Sequence, residues 1–253
     1  MEILRVENAG LKYQAQNGET TAFSNVSFAV EKGEILSIVG PSGCGKSTLL
    51  SVIAGLLPGA TGRIFIKGEA ISGISEHIGY MLQRDNLLEW RTIFSNVLFG
   101  LEMRHKKTPQ AVARAEQLLA TYGLAEFKDK YPRQLSGGMR QRVSLIRTLA
   151  AGPDILLLDE AFSALDYQTR LAVTEDVYAI LKSEQVTTLM VTHDIPESIS
   201  MGDRVLILSH RPAQVKEIYP IFFAPSRTPL SCRADARFSH YFDHIWKELD
   251  THG

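Results

Sequence analysis

The chain has 253 residues, of which 45% are hydrophobic, and its 27 basic and 28 acidic side chains leave a formal net charge of -1. This length and apolar content support one globular domain with a sizeable core and argue against disordered or fibrous classes. Because the charges balance, the sequence offers no global attraction to nucleic acid, and we expect no nucleic-acid partner.

The compartment is indicated by cysteine use and by features that the sequence lacks. One of the two cysteines, Cys44, lies in a glycine-rich turn where a disulfide to Cys232 would obstruct a ligand. This favours a reducing compartment. No apolar run approaches the roughly 18 residues of a membrane-spanning helix, and the N-terminus lacks the basic and apolar regions of a secretion signal. We therefore expect a soluble, intracellular chain.

The N-terminal part has the pattern of antiparallel strands. Ile3–Glu7 and Asn25–Val30 are predicted strands, and the second alternates apolar and polar residues like a half-buried strand. The dipeptide Asn17-Gly18 between them predicts a hairpin turn. Tyr13 stands before this turn, where an ordinary strand aromatic is an equal alternative to a functional residue.

The stretch from Ile35 to Leu50 predicts a polyphosphate-binding loop. An apolar strand, Ile35–Val39, enters a glycine-rich turn that opens into a helix, which matches G-x-x-x-x-G-K-[ST] in its strand-loop-helix context. Glycines let backbone N–H groups converge on phosphate oxygens, and the helix N-terminus adds further donors. The loop residues are Gly40, Pro41, Ser42, Gly43, Cys44, Gly45, Lys46, Ser47 and Thr48.

Side chains of this loop have expected roles. Lys46 is predicted to reach the β- and γ-phosphates, Ser47 to place its hydroxyl on Mg²⁺, and Thr48 to make a further phosphate contact. A glycine-rich turn with a surface lysine is the alternative. We expect a bulky thiol reagent at Cys44 to inhibit nucleotide chemistry unless the thiol faces the protein interior.

The character of the sequence changes after Gln83. Two predicted strands precede this residue, at Arg63–Lys67 and Ile78–Leu82. Thr108 and Pro109 then start an amphipathic helix that Gly123 ends. We therefore predict a helical subdomain, from about residue 85 to about residue 152, inserted into an α/β core.

An α/β pattern resumes with Ile155–Leu158, a continuous apolar run typical of a parallel strand buried on both faces. An amphipathic helix and two further strands follow, the strands at Thr188–Thr192 and Arg204–Leu208. Ligands of such sheets bind at the carboxyl ends of the strands, where Asp159 and Glu160 stand. In a phosphate-loop enzyme, Asp159 is expected to hold Mg²⁺ through water, and Glu160 to orient and deprotonate the attacking water.

A second glycine motif, LSGG, lies ahead of another predicted helix. Ser136 is a good N-cap, and Gly137 and Gly138 allow close approach of the backbone, so the motif has the features of an anion site. Since the chain already has a phosphate loop, this motif is either a plain helix cap or a site that serves the nucleotide of another subunit.

In this order, the motifs resemble those of the nucleotide-binding subunit of an ABC transporter. They are GPSGCGKST, Gln83, LSGGM, ILLLDE, SALD and the histidine of VTHD, and the resemblance covers residues 1 to about 210. It implies an α/β P-loop ATPase with a mixed or parallel sheet, an N-terminal antiparallel β subdomain and an inserted helical subdomain. Met139 departs from the glutamine commonest after LSGG, a substitution that the family tolerates.

The resemblance also implies cofactors and residue roles. Two copies of the chain would sandwich two ATP molecules, with Mg²⁺, so that the LSGG motif of one copy faces the γ-phosphate bound by Lys46 of the other. His193 would contact the γ-phosphate and the attacking water, and Asp166 of SALD would couple the two sites at the dimer interface. Gln83 would complete the Mg²⁺ and water contacts, and Tyr13 would stack on adenine.

Two further stretches resemble the nitrate, sulfonate and taurine branch of bacterial importers. Arg84–Thr92 is similar to the LLPWRT of that branch, with Glu89 in place of proline. Its leucines and Trp90 either line a groove for a helix of a membrane subunit or belong to the core. The tail FSHYFDHIWKEL resembles the C-terminal helix of the branch. We predict that this helix caps the core through an apolar stripe of Phe238, Phe242, Ile245, Trp246 and Leu249.

The predicted organisation is a single ABC ATPase domain over residues 1–253. Residues 1–84 and 153–210 form its catalytic α/β core with the β subdomain, about 85–152 the helical subdomain, and 211–253 a C-terminal extension. The resemblance implies a peripheral subunit on the cytoplasmic face of the cell membrane, bound to permease subunits and served indirectly by an extracytoplasmic solute-binding protein.

The expected function is to power import of a small solute, an anion such as nitrate, a sulfonate or taurine. Alternatives are a thiamine-precursor importer, an exporter or a lipoprotein-extraction complex. A DNA-repair ATPase is disfavoured because no CxxC pair or heptad array separates the nucleotide motifs.

Overall fold

A computed structural model describes residues 1–15 and 18–250, so the predicted turn residue Asn17 lies outside the described residues. The strands are β1 Glu2–Ala15, β2 Gly18–Glu31, β3 Ile35–Val39, β4 Thr61–Ile66, β5 Glu69–Ile71, β6 Ile78–Met81, β7 Ile155–Asp159, β8 Thr187–Val191, β9 Arg204–Leu208 and β10 Val215–Pro220. The α-helices are α1 Lys46–Ile53, α2 Ile93–Met103, α3 Pro109–Thr121, α4 Gly137–Ala150, α5 Tyr167–Glu184, α6 Ile195–Met201, α7 Pro229–Ala234 and α8 Arg237–Asp250.

The smaller sheet is antiparallel and has the strand order β2-β1-β4-β5. The predicted alternation in β2 is confirmed, because Val26, Phe28 and Val30 are buried while the residues between them are more exposed. One face of this sheet therefore packs on the core and the other faces solvent.

The larger sheet has the order β10-β9-β3-β8-β7-β6, in which β9 to β6 are parallel and β10 runs antiparallel to β9. Every residue of β3, β7 and β8 is buried, as expected for central strands covered on both faces. The predicted bounds of β3 and β9 are confirmed. Strand β10 was not predicted, because its half-buried sequence, VKEIYP, lacks the continuous apolar run of its neighbours.

The helices between β6 and β7 pack around a shared apolar core. The start of α3 is confirmed, since Thr108 accepts a hydrogen bond from the backbone N–H of Ala111 at 3.2 Å and Pro109 is the first helical residue. The helix ends before Gly123, whose φ of 72° suits glycine. The core between these helices contains Val97, Leu101, Leu118, Leu119 and Ile146. The residue limits of the helical subdomain stay a prediction.

The C-terminal helix α8 packs on the core, but the predicted stripe is wrong at one position. Trp246 is 55% exposed, whereas Tyr241 and Ile245 are buried against Val39 and Ile199. Tyr241 belongs to the buried face of α8. Its ring packs in the core while its hydroxyl donates to the carbonyl of Phe222 at 3.1 Å. Within residues 1–15 and 18–250, no helix has the length and apolar character needed to cross a bilayer.

Candidate nucleotide-binding site

The glycine-rich loop leaves the carboxyl end of β3 and opens into α1. Gly43 and Gly45 have φ of 73° and 116°, a region that L side chains rarely adopt, so these two positions require glycine. The loop borders a cavity of about 560 Å³. The lining residues are Ser42, Gly43, Gly45, Lys46, Ser47, Thr48, Glu160, His193 and Arg211. The predicted phosphate loop and two predicted catalytic residues therefore share one cavity.

Lys46 is held across the loop by main-chain acceptors. Its Nζ donates to the carbonyls of Gly40 at 2.8 Å and Pro41 at 3.1 Å, and the residue is 6% exposed. An ammonium group has three donors, so one remains for an oxygen in the cavity. The geometry fits a cation that meets a phosphate.

Asp159 and Ser47 meet at the base of the site. Ser47 Oγ donates to Asp159 Oδ1 at 2.7 Å, and the Tyr80 hydroxyl donates to Asp159 Oδ2 at 3.0 Å. Burial raises the pKa of Tyr80, with the nearby Asp159 carboxylate acting in the same direction, so the phenol stays a donor. A hydroxyl and a carboxylate are hard oxygen donors of the kind that Mg²⁺ takes from proteins alongside water and substrate phosphates. The residue set fits this ion.

Glu160 and His193 come from neighbouring strands. Asp159, at the end of β7, pairs with Val191, at the end of β8, and each functional side chain follows its strand. His193 Nδ1 lies 3.2 Å from Glu160 Oε2, and Glu160 adopts a φ of 46°. A non-glycine residue with positive φ is uncommon and marks a position set by its surroundings. This carboxylate and imidazole can together orient a water molecule and accept its proton.

Gln83 does not lie on the Ser47–Asp159 pair. Its Nε2 donates to Ser163 Oγ at 3.1 Å, and Ser163 Oγ donates to the carbonyl of Glu160 at 2.9 Å. Gln83 is thus linked to the backbone of Glu160 through Ser163. Its predicted contacts with Mg²⁺ and water stay a prediction. Ser163 was predicted only as part of SALD.

Tyr13 lies near the end of β1 and reaches the loop. Its hydroxyl donates to Thr48 Oγ1 at 3.3 Å, and the residue is 39% exposed. The tyrosine therefore stands beside the phosphate loop with solvent around part of its ring. Its stacking role stays a prediction.

The LSGG motif and Asp166 are placed away from the cavity. Ser136 caps α4 and accepts from the N–H of Met139 at 3.3 Å, and Asp166 caps α5 and accepts from the N–H of Thr169 at 3.0 Å. The hydrogen bond from Thr169 lowers the pKa of Asp166. Among the residues that line the cavity, neither Asp166 nor any of Ser136, Gly137 and Gly138 is included. The structure thus does not bring these residues to the phosphate loop of the same chain.

The thiol of Cys44 faces the interior. Cys44 is 1% exposed and belongs to the core that includes Leu208, and burial raises its thiol pKa. A buried, protonated thiol reacts slowly, so the inhibition expected of a bulky reagent is not expected in the folded chain.

Arg211 was not predicted as a site residue. It follows the predicted strand at Arg204–Leu208 and stands outside every motif, yet it lines the cavity with Lys46. The loop that carries it is tied to β2 by two main-chain hydrogen bonds between Ala213 and residues Ala22 and Ser24, each 3.0 Å. No sequence signal locates it, because the contact joins segments almost 190 residues apart.

The cavity is lined by the phosphate loop and by the Glu160–His193 pair, and the loop residue Ser47 is hydrogen-bonded to Asp159. This arrangement defines the chain as a phosphate-loop nucleotide hydrolase. The ABC transporter family model matches residues 23–163. The chain is 44% identical to the ABC transporter ATP-binding protein YtlC of Bacillus subtilis, over 99% of this chain and 97% of that protein. The chain belongs to the ABC transporter family and is an ATP-binding subunit with ATPase activity.

Further relatives carry more specific names. The chain is 38% identical to the taurine import ATP-binding protein TauB of Rhizobium johnstonii, over 96% of this chain and 95% of that protein. It is 39% identical to the aliphatic sulfonates import ATP-binding protein SsuB of Bacillus licheniformis, over 92% and 89%. The fold is similar to the ATP-binding cassette MJ0796, solved as a dimer in a post-hydrolysis state with ADP and Pi, with a TM-score of 0.71 and 28% identity over 88% of this chain and 100% of that one.

Proposed function

We propose that the chain powers an ABC importer for a small solute, an anion such as a sulfonate, taurine or nitrate. The import direction and the class of solute are supported by the TauB and SsuB relatives, which match at 38% and 39% identity over nearly the whole chain. The stretch Arg84–Thr92 supports the same branch. No residue of the chain is expected to touch the solute, since the subunit supplies free energy through ATP.

The observation that carries the mechanism is that the cavity contains only part of the predicted site. Lys46, Glu160 and His193 line it, while the LSGG motif opens to solvent elsewhere, with Ser136 and Gly137 exposed. An exposed helix N-terminus with a free serine-glycine face is suited to an anion on another molecule. The chain therefore works as a homodimer in which each LSGG motif completes the partner's cavity, in line with the dimeric state of MJ0796.

The residues divide the work of hydrolysis. Ser47 and Asp159 would hold Mg²⁺, which would supply positive charge to offset the negative charge of the phosphates. Lys46 binds the phosphates with its remaining ammonium hydrogen. Glu160 orients the attacking water and accepts its proton, and His193, 3.2 Å from Glu160, positions that carboxylate at the γ-phosphate.

The stretch after Gln83 provides a surface for the permease. Leu87 is buried and anchors the stretch in the core, whereas Trp90 is 75% exposed, and Leu82, just before Gln83, is 46% exposed. Exposed apolar side chains beside charged ones fit a helix of a membrane subunit. Docking there makes the chain a peripheral subunit at the cytoplasmic face of the membrane, and an extracytoplasmic solute-binding protein delivers the solute to the permease.

The role of Glu160 and the dimer are tested together. Glu160→Gln should retain nucleotide binding, lose nearly all hydrolysis and accumulate an ATP-stabilised dimer, measured by steady-state ATPase assay and size-exclusion chromatography. Turnover at the wild-type rate contradicts the assignment of the base. In mixed dimers of Ser136→Ala and Lys46→Ala chains, the composite cavity predicts that one site carries both defects and the other carries neither. ATPase rates that instead equal the mean of the two homodimers contradict the shared site.

The import proposal has its own test. A tagged chain should copurify with permease subunits from membranes, and cells should take up radiolabelled taurine, alkanesulfonate or nitrate only when the chain is intact. Glu160→Gln serves as the matched control, since it preserves binding but not hydrolysis. Copurification with an efflux permease, or uptake that is equal in cells with Glu160→Gln, contradicts import by this chain.

A further inference from the structure

Arg170 joins two loops that reach the nucleotide cavity. It lies in the first turn of α5, and its Nη2 donates to the carbonyls of Leu165 at 2.9 Å and Ser163 at 3.4 Å. Its Nη1 donates to Asp194 Oδ2 at 3.4 Å. A planar guanidinium carries five donors in a rigid fork, so it can hold these acceptors at fixed relative positions, which a lysine cannot.

Asp194 is itself fixed. Its Oδ1 accepts from the backbone N–H of Glu197 at 2.9 Å and so caps α6, and its own N–H donates to Thr192 Oγ1 at 3.0 Å. Because Asp194 directly follows His193, contacts that hold Asp194 also restrain the backbone that carries the imidazole. Arg170 thus contacts the residue next to His193 at a position that other hydrogen bonds already fix.

These contacts close a ring of five residues. From Glu160, the ring passes through Ser163, Arg170, Asp194 and His193, and it returns through the 3.2 Å contact between His193 Nδ1 and Glu160 Oε2. We call this set the Arg170 ring. It contains the predicted base, the predicted histidine and Ser163, the first residue of the SALD segment that ends in Asp166.

The burial of the Arg170–Asp194 ion pair argues against a mainly stabilising role for it. The side chains of Arg170 and Asp194 are only 22% and 23% exposed, and Arg170 Nε is buried without a hydrogen-bond partner among residues 1–15 and 18–250. Desolvation offsets much of the attraction in such a pair, so an ion pair of this burial is weak support for a stabilising role. Its geometric effect on the ring is the more direct consequence.

We propose that Arg170 is a positioning residue that holds Glu160 and His193 in register with the SALD segment, so that docking of a second chain at this segment sets the catalytic pair. The proposal rests on the proposed roles of Glu160 and of the dimer. It predicts that loss of Arg170 lowers kcat and leaves nucleotide affinity unchanged, because Lys46 and the phosphate loop are outside the ring.

The test uses the full chain and ATP with Mg²⁺. Arg170→Met should lower kcat by about 10- to 100-fold, since small misplacements of reacting groups have effects of this size, while KM and ADP affinity change less than about twofold. Arg170→Lys should recover only part of kcat, because a single ammonium nitrogen cannot reach positions that Arg170 serves from two separate guanidinium nitrogens. Asp194→Asn keeps the helix cap but weakens the pair, and the double variant should be no slower than Arg170→Met alone.

A matched control separates positioning from stability. Arg204 makes an ion pair with Glu34 and donates to the carbonyl of Ala29 at 2.7 Å, at the opposite edge of the sheet. Arg204→Met should lower the melting temperature and leave kcat unchanged.

The proposal is overturned if Arg170→Met keeps its kcat, if its kcat falls no more than that of Arg204→Met, or if the Arg170 and Asp194 effects multiply. Glu160→Gln, assayed in parallel, tests the base: if it retains turnover the proposed function fails, whereas an unchanged Arg170→Met beside an inactive Glu160→Gln rejects positioning alone.

Discussion

Ser47 Oγ donates to Asp159 Oδ1 at 2.7 Å, while the hydroxyl of Tyr80 donates to the other oxygen of the same carboxylate at 3.0 Å. The phosphate loop, β6 and β7 are thereby joined at one side chain. Both oxygens of Asp159 are engaged by neutral donors, so its negative charge is available to a cation that approaches Ser47.

Replacing Asp159 by Asn should remove that charge with little change in shape. We expect ATP hydrolysis to fall by roughly 100- to 1,000-fold, because fixed charges that stabilise the transition state usually supply most of the rate enhancement in such sites. The measurement is steady-state ATPase activity during a Mg²⁺ titration. Tyr80→Phe, which keeps the carboxylate, is the control and should lose much less. Near-normal turnover in Asp159→Asn contradicts the metal role.

Packing around Gly40 gives a prediction about stability. A Cβ at Gly40 would lie 2.9 Å from Cys44 Sγ and 3.0 Å from Leu208 Cβ. Gly40→Ala should therefore destabilise the fold by about 1–3 kcal/mol, as overpacking does. In urea denaturation, a Gly40→Ala/Cys44→Ala double variant should regain part of the loss. Gly100→Ala, where a Cβ has ordinary contacts at 3.6 Å, is the control and should be neutral or stabilising. Equal stability of Gly40→Ala and wild type contradicts the packing argument.

Glu197 should make stability depend on pH. It is 4% exposed, and burial raises its pKa from 4.5 to about 7, with Asp194 acting in the same direction and Arg170 and Arg233 opposing. The folded chain thus binds this proton more tightly than the unfolded chain. Its contribution to stability is complete below pH 4.5 and is lost as pH rises toward about 7, amounting to roughly 3 kcal/mol.

Glu197→Gln removes this titration. The free energy of unfolding of the variant, measured by urea denaturation from pH 5 to pH 8, should decline less than that of wild type, and the variant should be the more stable protein at pH 8. Glu69→Gln, at an exposed position in β5, should keep the wild-type slope. Parallel curves for Glu197→Gln and wild type would show that Glu197 does not titrate in this range.

Arg211 should strengthen nucleotide binding. It lines the cavity with Lys46, and among residues 1–15 and 18–250 it forms no hydrogen bond or ion pair. Arg211→Gln should weaken ATP and ADP binding by roughly 3- to 10-fold at low salt, a modest effect because the side chain is exposed and screened. A fluorescent-nucleotide titration at low and high salt measures this. Arg63→Gln, an exposed arginine on β4, should not change affinity. The idea fails if both variants bind alike.

Much of the site was predictable because it depends on local pattern. The phosphate loop needs glycines at positive φ between a strand and a helix, and Gly43, Gly45 and Lys46 are recognisable from spacing alone. The apolar run before Asp159 likewise identifies a buried strand, which places its carboxylate at the carboxyl edge. The C-terminal stripe was predicted less well, since the spacing of apolar residues does not show which side of a helix meets the core.

The remaining contacts required the tertiary structure. Ser47 and Asp159 are 112 residues apart in sequence, and Gln83 and Ser163 are 80 apart, so only strand order brings each pair together. In the sequence, Arg170 and Arg211 are arginines outside any recognised motif. Only the folded structure shows that Arg170 contacts the loops beside the cavity and that Arg211 lines the cavity. Local backbone and patterning rules, which act over a few residues, thus predicted the motifs. Side-chain contacts between distant segments, which depend on how sheets and helices pack, decided which residues stand around them.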